Sequence, residues 1–262
     1  MSIIFAIFIF VVLPVTVSIL GLLLVRKYTE LSTLESHNEV AGFIYAVIGV
    51  LYALLLAFVV IDVWEQYRDS QNYTELEATS LVNVCRDVEV FPDSVKSDIQ
   101  ENLYKYAEQM IELEFPAMYN KTTNEELENT YDRIWKGIYN YKPDNSYNQI
   151  WYQETVKEMN EFDKNRKMRI FSISQEIPSL MWIVLILGAA LTILFSYLFG
   201  TQNVWAHIIM VFTLSSMICI TFLLVAEFDH PFGGLIHVTP EAFERSLINI
   251  KDLIISNFLQ LL

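Results

Sequence analysis

Lys164, Arg166, Lys167 and Arg169 place four cations within six residues, shortly ahead of an apolar run. Such a cluster can do three things: fix membrane topology, contact anionic lipid, or form an anion-attracting ring at the inner mouth of an oligomeric pore. A second group, Glu227, Asp229, His230 and His237, gathers hard and borderline metal ligands in one short segment. Its spacing matches no established site class, so no metal is expected. Asp229 and His230 are expected instead to hydrogen-bond the backbone of their own turn, an exit turn shaped by Pro231, Phe232, Gly233 and Gly234.

The third candidate is a face rather than a cluster. Gly42, Ala46, Gly49, Ala53 and Ala57 recur at spacings of four, three, four and four inside an uncharged stretch, residues 40–61. That rhythm aligns the small side chains on one side of a helix. In lipid such a face either lets another backbone approach closely or leaves room beside a pore axis. Packing within one subunit and a pore wall both fit it. In the pore reading, Phe43, Tyr45 or Val50 forms a hydrophobic constriction that gates by dewetting.

These residues need elements to position them. At about 1.5 Å per residue, residues 40–61 reach roughly 33 Å, enough to cross a bilayer core. Asp62, Trp64 and Tyr67 mark a headgroup boundary, and the helix should continue beyond it because no breaker follows. Residues 3–25 read as a retained first span kinked at Pro14, being too long for a signal-peptide core and lacking a cleavage pattern. Residues 179–199 and 204–226 form a second hairpin joined by Gly200-Thr201-Gln202-Asn203. His207, beside Trp205, reads as an interfacial or packing residue, and Trp182 and Tyr197 as belt or packing aromatics.

Between the hairpins the chemistry changes. Residues 63–177 hold 22 of the 31 acidic residues and 13 of the 17 lysines and arginines. This is a water-exposed domain whose negative balance argues against nucleic acid. Prolines divide it. The second helix runs to Pro92; a helix capped by Asp93 or Ser94 extends to about Phe115 and stops at Pro116. Thr122 or Thr123, each three residues before a glutamate, starts a helix to about Tyr141. Pro143-Asp144-Asn145 is the next break, and a last helix begins near Ser146. Leu103, Tyr106, Met110 and Leu113, then Ile134, Trp135, Ile138 and Tyr141, recur at helical spacing, so an antiparallel bundle is expected.

After the exit turn, Thr239-Pro240-Glu241 is a helix start, and Phe243, Leu247, Ile250, Ile254 and Phe258 form one apolar stripe. That stripe should pack on the bundle, a neighbouring subunit or the bilayer surface. The fold class is therefore an all-α integral membrane protein: four transmembrane helices, a helical bundle inserted between spans 2 and 3, and a C-terminal amphipathic helix. The expected divisions are 1–62, 63–177, 178–226 and 227–262. Arg68 and the 164–169 cluster outweigh Arg26 and Lys27, which places the bundle and both termini in the cytoplasm. Cys85 and Cys219 lie in different regions and are read as unpaired packing residues.

Three blocks resemble the bacterial bestrophin-like domain family of four-span inner-membrane proteins. They are the second span through Tyr67, the stretch RKMRIFSISQEIPSLMWIVLILGAALTILFSYLFG from Arg166 to Gly200, and FDHPFGGLIHVTP from Phe228 to Pro240. True bestrophins share this layout, and the resemblance implies a pentamer around a central anion pore lined by the second span. The acidic run that forms their calcium clasp is missing, with only Glu227 and Asp229 in the comparable place. Calcium gating is therefore not expected.

No span carries an ionisable residue at its centre, which speaks against a transporter built on buried carboxylates. No phosphate-binding glycine loop, nucleophile motif or zinc signature is present, so neither enzyme activity nor a cofactor is expected. The reading that results is a homo-oligomeric ion channel with bilayer lipid and small ions as its partners. The alternative is a non-conducting scaffold or sensor whose bundle binds a protein partner.

Overall fold

The computed structural model describes residues 3–260, and side chains from Ile4 to Ser256. Among the described residues the regular structure is helical. Four helices are long and apolar enough to cross a membrane: Ile4–Tyr28, Asn38–Val90, Ser179–Ser196 and Val204–Phe228. The chain divides into two compact units, Met1–Gln66 with Glu176–Asp229, and Tyr67–Gln175 with His230–Leu262.

The first unit holds the apolar helices. α1 (Ile3–Ile7) passes through a π-helical turn, Phe8–Val12, into α2 (Leu13–Tyr28). Pro14 cannot donate to the preceding turn, and the wider turn accommodates its ring without ending the helix. Hydroxyls in this span are satisfied on helix carbonyls, Thr16 on Val12 at 2.7 Å and Ser18 on Pro14 at 2.8 Å. No water is needed there, as an apolar surrounding demands.

The connector forms a short helix, α3 (Leu31–Ser36), before α4 (Asn38–Asp87). α9 (Ser179–Ser196) and α10 (Val204–Phe228) complete the unit, with Asn203 capping α10 by accepting from Ala206 N. Gly200 closes the hairpin because a Cβ there would overlap the Glu35 backbone nitrogen. Asn38 then brackets that glycine, donating to its carbonyl at 2.7 Å and accepting from its N–H at 2.9 Å. Leu22 packs with Tyr197 and Val211, and the Tyr197 hydroxyl donates to Ser18 O at 2.7 Å.

The second unit is built on the C-terminal part of α4, which ends in a 3-10 turn, Val88–Val90, ahead of Pro92. α5 (Asp93–Gln109), a π-helical turn Met110–Glu114 and α6 (Phe115–Tyr119) follow as one rod. Pro116 does not stop this rod at Phe115. It falls just after the π-helical turn, whose wider winding accommodates the proline ring without ending the helix. The rod ends at Asn120 and Lys121, the latter at φ 60°.

α7 (Glu125–Asn140) and α8 (Ser146–Ile173) are capped by asparagines. Neither Thr122 nor Thr123 caps α7. Asn124 does, with its side chain accepting from Glu126 N at 2.9 Å. An Asx cap two residues before the donor N–H competes directly with the threonine capping box. α5 likewise starts from Pro92 without a side-chain cap from Asp93 or Ser94.

α11 (Glu241–Gln260) belongs to the same unit. Its Phe243 and Ile250 are fully buried in a core with Leu81, Cys85, Ile99, Leu103, Tyr106, Met110, Ile134 and Phe162. Leu247 and Ile254 flank that core, so the stripe packs on the bundle; the Phe258 side chain lies outside the described residues. Burying each large apolar side chain contributes roughly 1.5–3 kcal/mol.

Candidate functional site

α4 carries two faces in its apolar part. Ala41, Tyr52, Val59 and Val63 are buried within the first unit. Tyr52 donates to Leu185 O at 3.0 Å, and its ring packs close against Gly188. Tyr45 stacks on Phe195 at 5.6 Å and meets Phe199 edge-on at 5.4 Å. These contacts tie α4 to α9 by aromatic residues, so Tyr45 is an anchoring side chain and not a free constriction.

The small-residue face points elsewhere. At 100° per residue, Gly42, Ala46, Gly49, Ala53 and Ala57 lie roughly a third of a turn from the buried stripe. Ala46, Ala53 and Ala57 are exposed, and a Cβ added to Gly42 or Gly49 would meet nothing within 4 Å. Packing against another helix of the same chain is therefore not what this face does. Phe43 and Val50 are 73% and 61% exposed, continuing the uncovered surface beyond the small residues.

The basic cluster separates by helix face. Lys164 and Lys167 are exposed and pair along α8 with Glu161 at 3.1 Å and Asp163 at 2.6 Å. Arg166 and Arg169 point into the bundle. Arg166 pairs with Glu128 and lies 4.3 Å over the Tyr131 ring. Arg169 is completely buried: Nε donates to Glu77 Oε2 at 2.6 Å and Nη1 to Glu114 Oε1 at 3.3 Å. Both arginine side chains are buried and paired with carboxylates inside the second unit. Burial by itself would lower the Arg169 guanidinium pKa. The facing Glu77 carboxylate, with Tyr106 and Glu114, outweighs it and holds the group charged.

Glu77 was visible in the sequence as an anomaly. Ser70, Thr74, Glu77, Leu81, Val84 and Val88 follow spacings of four and three, and all are buried. An acid on that stripe needs a buried cation. Glu114 gave no such signal, because the π-helical turn rotates it inward. Its second oxygen accepts from Asn124 N at 2.7 Å, and the Tyr106 hydroxyl donates to Glu77 at 2.6 Å.

The exit turn also differs from expectation. The Asp229 carboxylate does not bond its own turn. Oδ1 accepts from Ile177 N at 2.6 Å and Oδ2 from Trp182 Nε1 at 3.3 Å, which ties the end of α10 to the start of α9. The turn itself is held by backbone bonds, Gly233 N to His230 O at 2.9 Å and Val238 N to Pro231 O at 2.8 Å, with Gly234 at φ 76°. Phe232 is buried against Phe115 at 6.2 Å. Among the described residues, no group of three or more His, Cys, Asp or Glu is placed to hold a metal. His207 is buried, within hydrogen-bond reach of Arg26 Nη1 at 3.3 Å and Ser196 O at 3.1 Å, as a packing residue should be.

A family model described as a bestrophin-like domain matches residues 12–243. No curated protein matches the chain. Among solved structures, variants of a bacterial bestrophin homologue from Klebsiella pneumoniae superpose with TM-scores of 0.71. One is 15% identical and covers 94% of this chain and 98% of its own. Another is 10% identical and covers 92% and 99%. A structure described only as a membrane protein variant gives a TM-score of 0.68 at 12% identity, covering 92% and 97%. At these identities the likeness is one of fold.

Proposed function

The chain belongs to the bestrophin-like domain family, and from that premise we propose that it is a homo-oligomeric ion channel with span 2 facing the axis. One observation carries the reading: the small-residue face of α4 is uncovered, while a different face of the same helix is anchored to α9 through Tyr45 and Tyr52. A helix held from one side with a small-residue face left open suits a ring of identical subunits. The resemblance sets the expected number at five. The second unit forms a cytoplasmic vestibule on this reading, and the inner membrane is the expected location.

Gating by dewetting passes to Phe43 and Val50, the exposed apolar residues of the earlier trio. Ion sign rests on few groups. With Arg166 and Arg169 committed inside the bundle, only Lys164 and Lys167 of the cluster are exposed, and each has an acidic neighbour.

The test has two stages. Native mass spectrometry in nanodiscs comes first, and a closed ring, five subunits above all, is expected. A monomer or simple dimer would remove the central pore and turn attention to the bundle as a partner-binding scaffold. Reversal potentials across a salt gradient come second, with wild type and a Lys164→Gln, Lys167→Gln double variant. An unchanged permeability ratio would take both lysines out of the selectivity argument.

A further inference from the structure

Among the described residues, the Arg169 network leaves Asp87 as a buried acid of the bundle outside it. Asp87, the last residue of α4, is 9% exposed, and its Oδ2 has no hydrogen-bond partner. Here α4 enters the Val88–Val90 turn, which packs on α8. α8 presents Glu154, Lys157 and Glu158 to Asp87. Lys157 is drawn off to Glu154 at 2.7 Å, and Glu158 accepts from Asn83 Nδ2 at 3.2 Å. On α4 itself Arg86 is exposed, and Glu89 follows in the 3-10 turn. α5 contributes the neutral Gln100, whose amide donates to Cys85 O at 3.1 Å. Asp87 thus faces two glutamates across the seam with no donor on Oδ2.

We propose that Asp87 is a proton-operated latch of the helical bundle: its neutral form seats the end of α4 against α8, and its ionisation loosens that seam. A neutral carboxyl removes the repulsion from Glu158 and Glu154 and no longer buries a charge. The ionised form buries a charge with one oxygen unsatisfied.

Burial first, then Glu158 and Glu154, push the Asp87 carboxyl up to about 6, against the lowering pull of Arg86 and Lys157. The direction of the pH effect follows. The folded protein holds this proton more tightly than the unfolded chain, whose aspartate titrates near 3.8. Stability from this group is therefore greatest below that value and is lost as pH rises towards about 6.

Thermal unfolding of the full-length protein in mild detergent, from pH 4.5 to 7.5, tests the latch. Asp87→Asn should unfold above wild type by about 2–4 °C at pH 7.5, with the difference closing by pH 4.5. A difference that stays constant with pH, or is absent throughout, overturns the proposal. Should that variant not purify as a folded species, Glu158→Gln carries the test. With one facing charge removed, the wild-type fall in Tm with rising pH should shrink and end at lower pH, and an unchanged profile overturns the latch equally.

Discussion

Arg169 Nε lies 2.6 Å from Glu77 Oε2, and neither side chain is exposed to solvent. With a second bond from Nη2 to Glu77 Oε1 at 3.3 Å, this contact joins α8 to α4 inside the bundle. Glu114 adds a second carboxylate on the same guanidinium, delivered by the π-helical turn. The fork geometry of arginine is what allows two acids to share it.

Removing that cation should therefore be severe. Arg169→Met strands two buried carboxylates, and a loss of about 3–5 kcal/mol is expected. Lys167→Gln, three ångströms or less from Asp163 but on the surface, should change stability by less than about 0.5 kcal/mol. Thermal unfolding of both variants checks this. Equal midpoints would mean that the cluster does not divide into buried and exposed halves.

Glycines on the two sides of the membrane unit should respond in opposite ways. A Cβ on Gly188 would lie 2.5 Å from Tyr52 Cε2, so Gly188→Ala must displace the ring that anchors α4 to α9. A destabilisation of about 1–3 kcal/mol is expected. Gly49→Ala meets nothing within 4 Å and should leave the folded subunit's stability unharmed. If that face lines an axis or a subunit contact, the change will show in conductance or oligomer mass instead. A Gly49→Ala protein that loses thermal stability as a monomer would contradict an uncovered face.

Asp229 offers an optical readout. Asp229→Ala removes the acceptor from Ile177 N and from the Trp182 indole N–H. A hydrogen bond to a charged group contributes about 1.5–3 kcal/mol, and the stranded Ile177 N–H adds to the loss. Trp182 emission, isolated by replacing the other tryptophans with phenylalanine, should shift as its partner disappears. Unchanged emission together with unchanged Tm would place Trp182 elsewhere than against Asp229.

Cys85 should be inert. Burial first, and Glu89 second, push its thiol up to about 12 from an ordinary 9.0, and the side chain is fully enclosed. The thiolate at neutral pH falls about 1000-fold, so maleimide labelling of the folded protein should be negligible at this residue and complete after unfolding. Peptide mass spectrometry reads both states. Ready labelling of folded protein would show that the core around α4 and α5 opens.

Much of the architecture was legible in the residues alone, because it follows from local rules. Uninterrupted apolar length marks spans, as in residues 40–61, and an apolar stripe such as Phe243, Leu247, Ile250 and Ile254 marks a helix that must pack. Small residues at spacings of three and four declare a face by helix geometry, whatever lies opposite. What covers a face is a long-range matter. Whether Gly49 meets another helix, whether Tyr45 stacks on Phe195, and which of four neighbouring cations turns inward depend on residues far along the chain. Pro116 and Glu114 make the same point at short range: a π-helical turn carried the helix through the proline and aimed the acid at Arg169. Periodicity assumes one hydrogen-bond pattern throughout a helix, and only tertiary packing decides where that pattern slips and which charges are buried together.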